Sequence, residues 1–148
     1  TSIAGHFCIE EFKDESPLPV IDMIESVQEE IDLKGFSRLG IIGTEQVMRS
    51  EFYGALRKIK VVTPSPNLLK NVHEAYVSVA SSGIVTALQR ETFNAACTEL
   101  IEDFGVDAVL IGGTDLALVY DEESAVFPIV DCAAIHSRKV VSISYQKG

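Results

Sequence analysis

Ala108-Val109-Leu110-Ile111-Gly112-Gly113-Thr114-Asp115 is the stretch that decides the fold. Four apolar residues in a row, closed by paired glycines, are too few for a buried helix and read as a strand covered on both faces. The Gly-Gly-Thr-Asp that follows is a turn. Its glycines allow a ligand to approach the backbone, and its last two residues present a hydroxyl and a carboxylate.

Working outward, residues 86–104 read as a long helix that stops at Gly105, immediately before this strand. After it, Phe127-Pro128-Ile129-Val130-Asp131 reads as another strand, and 132–144 as a closing helix. Upstream, Val61-Val62-Thr63-Pro64 is a short β-branched strand ended by proline. Ser65 or Asn67 caps the next helix, which carries Leu68, Leu69, Val72 and Tyr76. Arg38-Leu39-Gly40-Ile41-Ile42-Gly43-Thr44 is a buried strand running into a Gly-Thr turn, and the spacing of Met48, Phe52, Leu56 and Ile59 predicts a helix after it. Residues 16–22 read as an extended segment closed by Asp22, leading into a helix through Ile24, Val27 and Ile31 that ends at Gly35. Strands alternating with helices define an α/β fold with right-handed βαβ units and a parallel sheet. Ligands are then expected at the carboxyl ends of the strands: 2–6, Asp22, Gly43-Thr44, Thr63, 112–115 and Asp131-Cys132.

The composition fits an ordinary globular chain of 148 residues, 47% hydrophobic and 23% charged. A formal net charge of -10 would repel a phosphate backbone, which argues against nucleic acid as a partner. The longest apolar stretch, 106–120, is broken by Asp107, Asp115 and the glycine pair, so no membrane-spanning helix is expected. No basic flank and apolar signal core opens the chain, which argues against export. Cys8, Cys97 and Cys132 lie far apart without a C-x-x-C pair, which suits the reducing cytoplasm and disfavours a metal site. The chain opens on Thr1 without a methionine, which points to processing or to a missing upstream portion.

Several constellations at the strand ends carry chemistry. Gly43-Thr44 lies between strand and helix, where free N–H groups and the Thr hydroxyl form an anion pocket; a tight turn with a helix cap is the plainer reading. Gly113-Thr114 forms a second turn of this kind, with Asp115 beside it. Cys132 stands at a helix N-terminus, where the dipole lowers a thiol pKa, and His136 follows one turn later on the same face. A buried structural cysteine is the plainer reading there. His6 and Cys8 flank the start of the first helix. Cys97 belongs to a helix interior and is read as core, Glu25, Glu29 and Glu30 as a solvated face, and His73 as a helix or surface residue.

Read in order, these pieces resemble the aspartate/glutamate racemase family. The resemblance rests on Pro19-Val20-Ile21, on Leu39–Thr44 with Met48 and Phe52-Tyr53, on Val61-Val62-Thr63-Pro64, on Ile111-Gly112-Gly113-Thr114-Asp115-Leu116, and on Phe127–Cys132 with His136. It covers nearly the whole chain. It implies two similar α/β domains, an active site in the cleft between them, an amino acid such as aspartate or glutamate as substrate, and no cofactor. It also implies two cysteines that remove and return the α-hydrogen from opposite faces. The stretch matching the first is Ser2-Ile3-Ala4-Gly5-His6, which keeps only the histidine, and the stretch matching the second is Gly112-Gly113-Thr114-Asp115, with glycine in place of the thiol. A serine hydroxyl is a much poorer base than a thiolate, and glycine supplies no proton. By the same resemblance the chain corresponds to the C-terminal two thirds of the family. Residues 1–35 with 126–148 are then the remnant of the first domain, and 36–125 the second.

Three functions follow as expectations. The first is a racemase or related isomerase with rearranged acid/base groups drawn from Ser2, His6, Asp115, Cys132 and His136, and with Gly43, Thr44, Gly113 and Thr114 binding the substrate. The second is a cofactor-independent decarboxylase or lyase on a carboxylate. The third is a non-catalytic carboxylate-binding module. The expected partner is a small amino acid or dicarboxylate, and a homodimer is the assembly considered.

Overall fold

A computed structural model describes residues 3–120 and 125–146. Four strands, β1 (Arg38–Gly43), β2 (Lys60–Val62), β3 (Ala108–Gly112) and β4 (Ile129–Asp131), form one sheet in the order β2-β1-β3-β4. Every neighbouring pair is parallel. All five residues of β3 and the last five of β1 are buried, which requires both faces of the sheet to be covered. The α/β reading and the decisive strand are therefore present as expected. At roughly 1.5–3 kcal/mol for each buried Leu, Ile or Val side chain, Leu39, Ile41, Ile42, Val109, Leu110 and Ile111 form the energetic centre of the fold.

Among the described residues six α-helices accompany the sheet: α1 (Ile9–Glu15), α2 (Met23–Lys34), α3 (Glu45–Arg49), α4 (Pro66–Ser82), α5 (Ala87–Thr98) and α6 (Cys132–Gln146). α4 buries Leu69, Val72, Tyr76 and Val79, a stripe at three- and four-residue spacing. α5 opens on a reciprocal capping box, in which Thr86 Oγ1 accepts from Gln89 N at 3.3 Å and Gln89 Oε1 accepts from Thr86 N at 2.8 Å. Its continuation widens into π-type turns over Glu99–Asp103, so the expected helix over 86–104 is present in two geometries. α2 lies against α6, and Lys139 Nζ meets Glu29 Oε2 at 2.6 Å between them.

Two expected elements differ. The helix expected through Met48, Phe52, Leu56 and Ile59 ends at Arg49, and Glu51, Phe52 and Tyr53 then take left-handed backbone angles. There the Ser50 hydroxyl accepts the Tyr53 N–H at 3.0 Å, and the buried Phe52 ring holds the reversal. Residues 17–22 form no strand, since prolines at 17 and 19 remove two ladder donors. Asp22 instead caps α2, its Oδ1 accepting from Ile24 N at 2.7 Å and Glu25 N at 3.3 Å. No described helix is long and apolar enough to cross a membrane.

Candidate functional site

Three strand ends lie side by side. Gly43 pairs with Gly112 between β1 and β3, and Ile111 pairs with Asp131 between β3 and β4. At Gly43 and Gly112 the requirement is close approach: a Cβ on Gly43 would stand 2.7 Å from the Gly112 carbonyl oxygen, and one on Gly112 would stand 2.9 Å from both the Ile42 carbonyl oxygen and Val47 Cγ1. The two glycines let the β1 and β3 turns leave the sheet together.

The turn after β1 delivers Thr44, whose Oγ1 accepts from Val47 N at 3.2 Å and caps α3. Its neighbour Glu45 donates its N–H to His73 Nδ1 at 3.1 Å. Two of the N–H groups at this helix start are thereby engaged within the protein. In the neutral His73 ring the hydrogen then resides on Nε2.

The turn after β3 delivers Gly113, Thr114 and Asp115. Gly113 has φ -163° and ψ 134°, extended backbone open to any residue, so space and not conformation explains the glycine. That space belongs to Tyr76 of α4. A Cβ on Gly113 would stand 2.3 Å from Tyr76 Cε2 and 2.7 Å from both Cζ and Oη. Tyr76 Oη donates to Asp115 Oδ2 at 2.9 Å. Burial, and then the hydrogen bond and negative charge of Asp115, push the Tyr76 phenol up to about 12; the Asp115 N–H and the Thr114 hydroxyl pull the other way and lose. At neutral pH Tyr76 is an uncharged hydroxyl that can hold or give a proton but cannot act as a base.

A second group surrounds the start of α6. Asp131 Oδ1 accepts from Ala134 N at 3.0 Å and caps the helix. Cys132 is fully buried, and burial, followed by the adjacent Asp131 charge, pushes its thiol well above the ordinary cysteine value. Burial, the plainer reading for this cysteine, sets the direction and outweighs any lowering at the helix start. His136 Nε2 donates to the Ile21 carbonyl oxygen at 2.7 Å, which leaves Nδ1 a buried acceptor with no partner among the described residues. His6 accepts the Met23 N–H at Nε2, 3.3 Å away, and its ring meets that of His136 edge-on at 6.5 Å. A cavity of about 270 Å³ lined by Gly5, His6, Cys8, Ile9 and Phe12 opens beside His6. Ser2 lies outside the described residues. Among the described residues no group of three or more His, Cys, Asp or Glu could hold a metal ion.

Thus Thr114 and Asp115 share one network, His6 and His136 share another, and the Thr44 oxygen caps α3 while its hydroxyl hydrogen remains able to donate. Sequence reasoning missed His73 and Tyr76. Both come from α4, three residues apart, and both reach the strand ends. Their spacing beside the apolar stripe was the available signal, but it equally describes a core tyrosine and a boundary histidine.

A parallel α/β sheet with polar side chains gathered at its carboxyl edge defines a class that takes small ligands there. The chain belongs to the Asp/Glu/Hydantoin racemase family, whose model matches residues 3–140. Solved structures agree in fold. A Yersinia pestis protein whose assignment as an Asp/Glu racemase is provisional superposes with a TM-score of 0.85 at 23% identity, over 98% of this chain and 64% of that one. An aspartate racemase homologue from Pyrococcus horikoshii OT3 gives 0.84 at 22%, over 97% and 64%. The Picrophilus torridus aspartate racemase gives 0.70 at 21%, over 95% and 59%. The chain therefore spans somewhat under two thirds of the length of these relatives.

Proposed function

We propose that this chain binds a small amino acid or dicarboxylate at the carboxyl ends of β1 and β3, and that it does not racemise it by a two-thiol route. The observation that carries this reading is the Tyr76 ring against Gly113. The position that resembles the family's second catalytic cysteine holds no thiol, and its side-chain space is filled. The position resembling the first is Ser2. Cys132, whose thiol is buried and hard to ionise, is a poor substitute for either.

In this reading Thr114, with Gly113 and the Gly43-Thr44 turn, holds a ligand carboxylate. His6, His136 and Asp115 are the remaining candidates for proton transfer, and no cofactor is used. Residues 1–35 with 126–148 form one unit and 36–125 the other, with the ligand in the cleft between them. The contact of α2 with α6 supports that grouping, and β4 is the crossing point between the two. Hydrogen exchange in which α2 and α6 open together, separately from α4 and α5, is the expected signature; exchange of all four as one unit contradicts it. Three free cysteines fit a reducing compartment, and the cytoplasm is the proposed location. A non-catalytic carboxylate-binding module is the second reading, favoured by the same lack of a placed thiol.

Calorimetric titration with L-aspartate, D-aspartate, L-glutamate and succinate tests the site. Thr114→Val should weaken binding by roughly 1–3 kcal/mol if a charge-assisted hydrogen bond is lost. Binding that is unchanged in Thr114→Val and in Thr44→Val removes the assignment.

A further inference from the structure

Gly113 is a glycine that its own backbone does not need. Its extended angles suit any residue, yet no side chain fits because the Tyr76 ring already stands there. Tyr76 is nine-tenths buried, and it spans from α4 to the turn after β3 to reach Asp115. Holding a long aromatic side chain in one geometry with its only hydrogen on a carboxylate costs side-chain entropy, and packing alone would be served equally by phenylalanine.

We propose that Tyr76 determines ligand specificity by orienting the Asp115 carboxylate. Its ring takes the place of the side chain that Gly113 lacks, and its hydroxyl holds the Asp115 carboxylate. The inference rests on the reading of these strand ends as a small-carboxylate site. Its hydrogen-bond polarity follows from the observed contact. The phenol hydrogen points at Asp115 Oδ2 and the phenol oxygen faces the Asp115 N–H and the Thr114 hydroxyl, so what the network offers outward is the second carboxylate oxygen of the partly exposed Asp115. Such an acceptor meets a ligand group that carries hydrogens, and an ammonium fits both its polarity and its charge. A dicarboxylate of the same length without the amino group would leave this acceptor unmatched and place two negative charges near each other.

The test compares L-aspartate with succinate, each titrated into the protein, Tyr76→Phe and Asp115→Asn. The wild type should prefer aspartate, and Tyr76→Phe should cut that preference about 5–30-fold while succinate affinity changes less than about twofold. Asp115→Asn, which leaves the ring in place, should cut it in the same direction and serves if Tyr76→Phe does not fold. A preference retained in both variants overturns the proposal and leaves the carboxylate site standing. An equal loss for both ligands marks Tyr76 as packing only and also overturns it. A wild type that binds neither compound overturns the carboxylate site itself, and this proposal with it.

Discussion

Tyr76 Oη donates to Asp115 Oδ2 at 2.9 Å across 39 residues of chain, and this one contact ties α4 to the turn after β3 at the edge where ligands of parallel α/β proteins bind. It also explains Gly113, because the ring that makes the bond occupies the volume any larger residue would need.

Gly113→Ala should therefore destabilise the fold by about 1–3 kcal/mol, as overpacking of a filled site does. In a Tyr76→Ala background the same change should cost much less, a coupling of at least about 1 kcal/mol between the two positions. Urea unfolding of the four proteins measures it. Additive effects would mean that the ring does not exclude a side chain at 113.

The Tyr76 phenol is favoured in its neutral form, since its folded value of about 12 lies above its unfolded value near 10. The sign follows: this stabilisation is complete below about pH 10 and is lost as pH rises towards 12. Ultraviolet titration of the native protein should show two late-ionising tyrosines, Tyr76 and the buried Tyr120, and Tyr76→Phe should remove the earlier of the two. Identical curves for the two proteins would count against the buried pair.

Among the three thiols only Cys8 is partly exposed. Burial pushes Cys97 up to about 12 and Cys132 higher still. A disulfide-exchange reagent at mildly alkaline pH should label one cysteine quickly, and a Cys8→Ser variant should lose that phase. Rapid native labelling of Cys132 would show that its thiol is reachable and would reopen a role for it.

Asp22 links three elements. Burial works to raise its carboxyl pKa, but Lys13 Nζ at 2.7 Å and the N–H groups of Glu25 and Ile24 together hold it below the ordinary value. A lowered folded value contributes stability that is present above the unfolded pKa near 3.8 and lost as pH falls through the folded one. Asp22→Asn keeps the cap and removes the charge, so it should cost roughly 1–2 kcal/mol at neutral pH and little at low pH. Equal destabilisation at pH 7 and pH 3 would show that the loss does not come from the carboxylate charge.

The strands and most helices were legible because β1 and β3 are buried on both faces and so read as unbroken apolar runs. Local hydrogen bonding was not legible. Ser50, which turns the chain out of α3, and the prolines that deny residues 17–22 a ladder act through geometry that apolar spacing does not record. The resemblance located Gly113 and Ser2, but which side chain fills the space at 113 depends on how α4 packs over β3. Tyr76 sits on the α4 stripe with Leu69, Val72 and Val79, and its pattern there is that of any core residue. For Cys132 the plainer of the two readings, a buried structural cysteine, agrees with its complete burial; the depth that decides between them cannot be read from its position at a helix start.

In the proposed reading this family member binds its ligand without the paired thiols. Chiral chromatography after prolonged incubation with L-aspartate, and separately with D-aspartate, tests it most directly, beside a Cys132→Ser control. Each positioned proton-transfer group is typically worth about 10²–10⁴-fold, so with both thiols lacking the enantiomer supplied should persist at close to the uncatalysed rate. Robust interconversion that survives Cys132→Ser would contradict the account and direct the search for the proton-transfer groups to Ser2, His6, Asp115 and His136.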